Sequence, residues 1–311
     1  MERESINPER RNTPRYITPL STPAVSSVGV LRFPYAQNEL HALVKSALDE
    51  DGAFNDLTTI ATVVSERHAR GRLVARQTGV LCGVALGLEA FRTLDPKVTI
   101  RVDQEDGAVL EPGDSVLYLS GHARALLAAE RVALNFMQRL SGVASLTARY
   151  VDAVRGTRAK ILDTRKTTPG WRLLEKYAVR AGGGTNHRLN LSSAVLIKDN
   201  HLASVDGDVA LAVRRARDLA PRGTRVEVEC DSTRQVQAAL EAGADIIMLD
   251  NMSLDQMRES VGVVAGRATV EASGGVNFDT VRAIAETGVD WISVGALTHS
   301  APALDLSVDF E

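Results

Sequence analysis

Arg225-Val-Glu-Val-Glu-Cys230, Asp245-Ile-Ile-Met-Leu-Asp-Asn251, Ala268-Thr-Val-Glu-Ala-Ser-Gly-Gly275 and Asp290-Trp-Ile-Ser-Val-Gly295 are four short apolar runs that begin 20, 23 and 22 residues apart. Helix-like runs separate them at 233–242, 254–264 and 278–287. Strand and helix alternating at this period predict parallel strands joined by crossover helices. Two further strand-like runs begin near Lys160 and Ala194, which brings the count to six. Eight repeats are not visible, so an incomplete α/β barrel of six to seven strands is expected, with a doubly wound open sheet as the alternative. No strand is followed by Gly-x-Gly-x-x-Gly, which argues against a dinucleotide fold.

In a parallel barrel the chemistry sits at the carboxyl ends of the strands. In the run at 225–230 the side chains alternate, so Val226 and Val228 share one face while Glu227 and Glu229 share the other. With the valines against the helices, the glutamates face the barrel axis and Glu229 lies at the mouth. Asp250 and Asn251 end the next strand. Glu271-Ala-Ser-Gly-Gly and Ile292-Ser-Val-Gly-Ala end the last two, and glycine turns there expose backbone N–H groups to an anion.

Working back along the chain, the segment from Asp163 to His201 holds seven basic residues (Arg165, Lys166, Arg172, Lys176, Arg180, Arg188, Lys198) against three acidic ones. Several sit where apolar runs end, among glycines and threonines and beside His187 and His201. Guanidinium and ammonium groups so gathered suit a small polyanion. Carboxylates converging on the same rim suit Mg²⁺ with an anionic substrate, or sugar hydroxyls.

Upstream, Ala36–Asp49 has helical spacing and Asp56-Leu-Thr-Thr59 reads as a loop. Arg70–Val80 reads as a strand, Val84–Leu94 as a helix, and Val98–Val102 and Ser115–Ser120 as strands. Arg124–Val154 reads as one long helix or two abutting ones. Its polar stripe of Arg124, Arg131, Asn135, Gln138 and Gly142 is free to dock on something. Residues 1–29, punctuated by four prolines, read as a disordered extension.

The chain has 311 residues, 44% hydrophobic and 24% charged, with a net charge of −3 and only 4% aromatic residues. That balance excludes a nucleic-acid footprint and aromatic stacking platforms. Two cysteines make neither a disulfide framework nor a metal cluster, and point to a cytoplasmic setting. No apolar run is long enough to span a membrane.

The motifs Ala-Glu-Arg131-Val-Ala-Leu-Asn, Asp163-Thr-Arg-Lys-Thr-Thr-Pro-Gly, Gly-Gly-Gly-Thr-Asn-His187-Arg188, Leu-Ile-Lys198-Asp-Asn-His201, Val-Glu-Val-Glu229, Met-Leu-Asp250-Asn, Glu-Ala-Ser-Gly-Gly and Ser-Val-Gly-Ala-Leu-Thr-His occur in this order. Jointly they resemble the quinolinate phosphoribosyltransferase family, over roughly residues 35–311. The resemblance implies an N-terminal α/β sandwich (30–122), rejoined by a C-terminal strand (about 300–311), and an incomplete α/β barrel (123–299). It implies decarboxylating transfer of phosphoribosyl from phosphoribosyl pyrophosphate to quinolinate, in a homodimer that shares its active sites. By the same resemblance Arg131 (from the partner subunit), Thr164, Arg165, Lys166, His187, Arg188 and Lys198 meet quinolinate. Glu229, Asp250, Asn251, Ser273, Gly274, Gly275, Ser293 and Gly295 meet phosphoribosyl pyrophosphate. Glu229 and Asp250 bear on Mg²⁺, directly or through substrate, and Lys166, Glu229 and Asp250 are the catalytic set. The competing readings are a Schiff-base enzyme built on Lys166 or Lys198, a related transferase of different substrate, and an idle sugar-phosphate-binding module.

Overall fold

The computed structural model describes residues 31–311, and the expectation for residues 1–29 lies outside them. The first layer is built from α1 (Gln37–Glu50), α2 (Leu57–Thr62), β1 (His68–Ala75), β2 (Gly79–Val80), α3 (Val84–Leu94), β3 (Thr99–Val102), β4 (Val109–Leu110) and β5 (Ser115–His122). The expected loop at 56–59 is corrected here. Asp56 accepts the Thr59 N–H at 3.2 Å and starts α2. Six residues are too few to show a helical period. The expected strand at 70–80 also divides, because β1 stops at Ala75 and Gly79–Val80 pairs with Val109–Leu110 instead.

The long helix is one piece, α4 (Ala123–Ala153), 31 residues that pack on both halves of the molecule. Leu126, Met137 and Leu140 on its inner face are fully buried. Each such side chain stabilises the fold by about 1.5–3 kcal/mol relative to exposure.

The parallel unit follows as β6 (Lys160–Leu162), α5 (Arg172–Ala181), β7 (Val195–Ile197), α6 (Asp199–Ala203), α7 (Val209–Leu219), β8 (Val226–Cys230), α8 (Thr233–Glu241), β9 (Ile246–Asp250), α9 (Leu254–Val264), β10 (Thr269–Ser273), α10 (Val281–Ala285), β11 (Trp291–Ser293) and α11 (Ala296–His299). Its strands run in the order β6-β11-β10-β9-β8-β7. Thr185 bridges Leu162 on the other side of β6 and marks a rudimentary seventh position. This is the incomplete α/β barrel. Val226 and Val228 are fully buried, and Glu227 and Glu271 are buried too, so both faces of the strands are covered.

The chain ends in β12 (Leu306–Phe310), which leaves the barrel and pairs antiparallel with β1, giving a four-stranded sheet β12-β1-β5-β3. The segment leading to it covers part of the polar stripe on α4. Gln138 donates to the Leu306 carbonyl at 2.7 Å and accepts the Leu304 N–H on its own carbonyl at 2.9 Å. A side chain at Gly142 would overlap the backbone of Pro302. Arg131 and Asn135, further up the helix, stay exposed.

Candidate active site

The mouth of the barrel assembles from the ends of its strands. The turn after β6 carries Thr164, Arg165 and Lys166, and the Thr164 hydroxyl accepts the Lys166 N–H at 3.0 Å. Asp163, fully buried, anchors this turn to the next segment. Its carboxylate pairs with Lys176 and accepts from Asn186 Nδ2 at 2.6 Å and the His187 N–H at 2.8 Å. Burial pushes the Asp163 carboxyl up and the Lys176 ammonium down, while their mutual attraction works against both shifts. Lys176 is therefore a structural partner and not a free cation. Arg180 points elsewhere, donating to the Arg32 carbonyl at 3.1 Å. Two of the seven basic residues thus leave the cluster.

Arg165 and Arg188 remain together. Burial and then the Arg165 guanidinium lower the Arg188 pKa, with Glu227 opposing them, and the Nε of Arg165 is buried without a hydrogen-bond partner. Arg188 spends one Nη1 bond on the Ala194 carbonyl at 3.0 Å. A buried guanidinium donor left unfilled at the barrel mouth describes a seat for an anion.

Beneath them lies a buried trio that sequence reasoning only half found. His187 Nε2 is 3.1 Å from Glu227 and 3.5 Å from Glu271. Glu227 was expected on the axis, but nothing in the sequence singled out Glu271 as its neighbour. Burial disfavours the imidazolium, yet Glu227 and Glu271 outweigh it and push the His187 pKa up to about 10. Burial and then Glu271 likewise push Glu227 up. The Nδ1 of His187 accepts the Arg188 N–H at 2.8 Å, a bond that an imidazolium gives up. The physical content of both raised pKa values is that the trio holds extra protons as a unit.

Lys198 ends β7 and forms an ion pair with Glu229 at the end of β8. The two residues assigned to different substrates thus hold one another. His201 lies apart, its Nδ1 accepting the Lys198 N–H at 3.0 Å as a cap on α6. Asp250 ends β9, and its Oδ2 accepts from Asn251 Nδ2 at 2.8 Å. Asn251 takes φ of 54° and lies under Gly274, whose φ is 88°, so that any side chain at Gly274 would overlap it. Gly275 also has positive φ, at 61°, and Ser273 is half-buried beside it. Ser293 differs from the other residues of this set. It is buried, and its hydroxyl donates to Glu271 at 2.5 Å. Gly295 makes room for the Lys166 stem, since a Cβ there would sit 3.1 Å from its Cδ. Arg131 lines a separate cavity of about 510 Å³ in the N-terminal half, with Leu57, Leu127 and the 51–56 turn.

Cations, carboxylates and glycine turns at the carboxyl ends of parallel strands define the class as an α/β-barrel enzyme acting on sugar phosphates and an anionic co-substrate. Comparison narrows the class. Residues 56–141 match the quinolinate phosphoribosyl transferase N-terminal domain and residues 143–309 its C-terminal domain. The probable nicotinate-nucleotide pyrophosphorylase [carboxylating] of Bacillus subtilis is 42% identical over 87% of this chain and 93% of its own length. The enzyme of that name from Mycobacterium leprae is 45% identical over 86% and 95%. Among solved structures, NadC from Streptococcus pyogenes is 44% identical, covers 89% of this chain and 98% of its own, and superposes with a TM-score of 0.86. The chain belongs to the quinolinate phosphoribosyltransferase family, pentosyltransferases that convert quinolinate to nicotinate mononucleotide with release of CO₂ in NAD biosynthesis.

Proposed function

We propose that the two charge sets at the mouth divide the substrates between them. Arg165, Lys166, His187, Arg188 and Lys198, with the Thr164 hydroxyl and Arg131 of a second subunit, take the two carboxylates of quinolinate. Glu229 and Asp250, with Asn251, take the ribose side of phosphoribosyl pyrophosphate, and the turns at Ser273–Gly275 and Gly295 take its 5′-phosphate. The observation that carries this reading is the buried Nε of Arg165 at the mouth, which has no hydrogen-bond partner. Ser293 supports the phosphate turn from below, because its hydroxyl is already committed to Glu271.

The donor set fits Mg²⁺. Glu229 and Asp250 are hard oxygen ligands at adjacent strand ends, and only one oxygen of Asp250 has a hydrogen-bond partner among the described residues. Bound there or through substrate, Mg²⁺ would supply neutralising charge for the departing pyrophosphate. The residues themselves do the rest. As the C1–pyrophosphate bond breaks, the ribose ring gains positive charge, which Glu229 and Asp250 tolerate. Lys166 faces the leaving group. The cations hold the pyridine nitrogen in line with C1 and offset the repulsion between two polyanions. Once N1 carries positive charge, loss of CO₂ from C2 leaves a stabilised ylide, which is protonated at C2.

Turnover of quinolinate with phosphoribosyl pyrophosphate and Mg²⁺, scored for CO₂ and nicotinate mononucleotide, tests this division. Nicotinate and nicotinamide are expected not to react, because each leaves cations unpaired. Comparable turnover of nicotinate overturns it.

The working unit in this reading is a two-fold dimer. Arg131 is exposed, and Leu57 and Leu127, which line its cavity, are 80% and 37% exposed. A second copy would cover them and receive Arg131 at its own barrel mouth. Mixing Arg131→Ala and Lys166→Ala chains, each nearly inactive alone, unfolding and refolding them together should restore roughly a quarter of the activity of the unsubstituted protein. Activity that stays at the level of the single variants excludes the shared site. The setting is cytoplasmic in this reading, supported by two unpaired cysteines, and no helix among the described residues is long and apolar enough to cross a membrane.

A further inference from the structure

Lys166 has a long flexible stem, so something must aim it. Its backbone carbonyl accepts the hydroxyl of Thr298 at 2.7 Å, and Thr298, on α11, is fully buried. Two residues further on, Thr168 is held at both its N–H (3.0 Å) and its hydroxyl (2.8 Å) by the carboxylate of Glu175, in the first turn of α5. Glu175 is also fully buried. Its counter-ion is Arg139 on α4, at 3.2 Å, and Arg139 also donates to the Thr298 carbonyl and, at 2.7 Å, to the Ala301 carbonyl. The bonds close a circuit from Lys166 through Thr298, Arg139, Glu175 and Thr168 back to the same turn.

A buried carboxylate with one partly exposed counter-ion is a poor stability device, because its desolvation rivals the attraction it gains. What this one does is hold Thr168 directly and, through Arg139 and Thr298, the backbone carbonyl of Lys166. From that the geometry points to Thr298 and Glu175 as positioning residues for Lys166, acting on the reaction without touching substrate. The inference rests on the role given to Lys166 above.

The experiment compares Thr298→Val, Thr298→Ser, Glu175→Gln and a control, Thr287→Val, by steady-state kinetics and thermal unfolding. Thr287 is a buried threonine whose hydroxyl also bonds a backbone carbonyl, that of Ile284 at 2.7 Å, outside the circuit. Thr298→Val should lower kcat about 10–100-fold, the scale of a small misplacement of a catalytic group. Thr287→Val should lose comparable thermal stability and keep its kcat. Thr298→Ser should recover most of the loss, and Glu175→Gln should lower kcat in the same direction. Placed on Lys166→Ala, Thr298→Val should cost nothing further, since its effect runs through a side chain already gone. Normal kcat in Thr298→Val, or an undiminished loss on the Lys166→Ala background, overturns the inference. If Thr298→Val does not fold, Glu175→Gln decides by the same double-variant comparison. If Lys166→Ala itself is fully active, the site reading fails and not merely its positioning.

Discussion

The two ends of the barrel are both charged, and only one of them is built to act. At the amino ends of the strands, Arg158, Lys160, Asp245, Arg267 and Asp290 line a cavity of about 650 Å³. Its two aspartates are already occupied. Asp290 pairs with Arg158 and accepts the Val270 N–H at 2.9 Å, while Asp245 pairs with Arg217 at 2.8 Å and accepts the Val226 N–H at 2.7 Å. At the carboxyl ends, Arg165 has an unfilled buried donor, and one oxygen each of Glu227 and Glu271 is buried without a hydrogen-bond partner. The lesson is that unfilled charge, rather than hollow volume, marks the working end. Charges that pin the strand starts are satisfied by their neighbours, whereas at the mouth Arg165 keeps an unfilled donor, and Lys198 and Glu229 answer each other.

The sharpest way to break this contrast is to remove one cation from each end. Arg165→Ala should lower kcat/KM by roughly 10²–10³-fold, and Arg158→Ala should leave it unchanged. A comparable loss in both, by initial-rate kinetics, would mean that the amino end takes part. Next in size is the loss expected in binding. Lys198→Ala should weaken quinolinate by roughly 10–100-fold, the cost of losing a charged hydrogen-bond partner, and phosphoribosyl pyrophosphate far less. Asp250→Ala should do the reverse and raise the Mg²⁺ concentration needed for half-maximal rate. Because Lys198 and Glu229 hold each other in this structure, titration calorimetry that finds equal losses for both ligands in both variants would merge the two subsites.

The contrast extends to stability. Lys176→Met strands the buried Asp163 carboxylate and should destabilise the protein by about 3–5 kcal/mol, read by urea unfolding. Smallest is Arg217→Ala, which breaks a pair with both side chains more than a third exposed, and should cost about 0–1 kcal/mol. An Arg217 effect as large as that of Lys176 would show that the amino-end pairs carry the barrel.

Much of this was legible along the chain. The period of 20–23 residues foretold the parallel strands, and alternation in Val226–Cys230 put Glu227 and Glu229 inward. Local rules sufficed because a strand's facing is set by its immediate neighbours. The same rules miscounted the cations. Lys176 reads like Lys198 in sequence, but it points into the core at Asp163, 13 residues away, while Lys198 faces the mouth. They also missed α2, which a single Asp56 cap starts in too few residues for periodicity to show.

The sequence by itself determined the strands, their ends and the types of group gathered there, because these follow from spacing over a few residues. Only the tertiary structure decided which charges are already answered. Lys198 meets Glu229 across 31 positions, Thr298 meets Lys166 across 132, and β12 returns to β1 with Arg76 meeting Asp309 across 233. An ion pair or hydrogen bond is decided within a few ångströms in space, and separations of that kind are fixed by how the strands close and where the chain's end is laid, not by any stretch of sequence read alone.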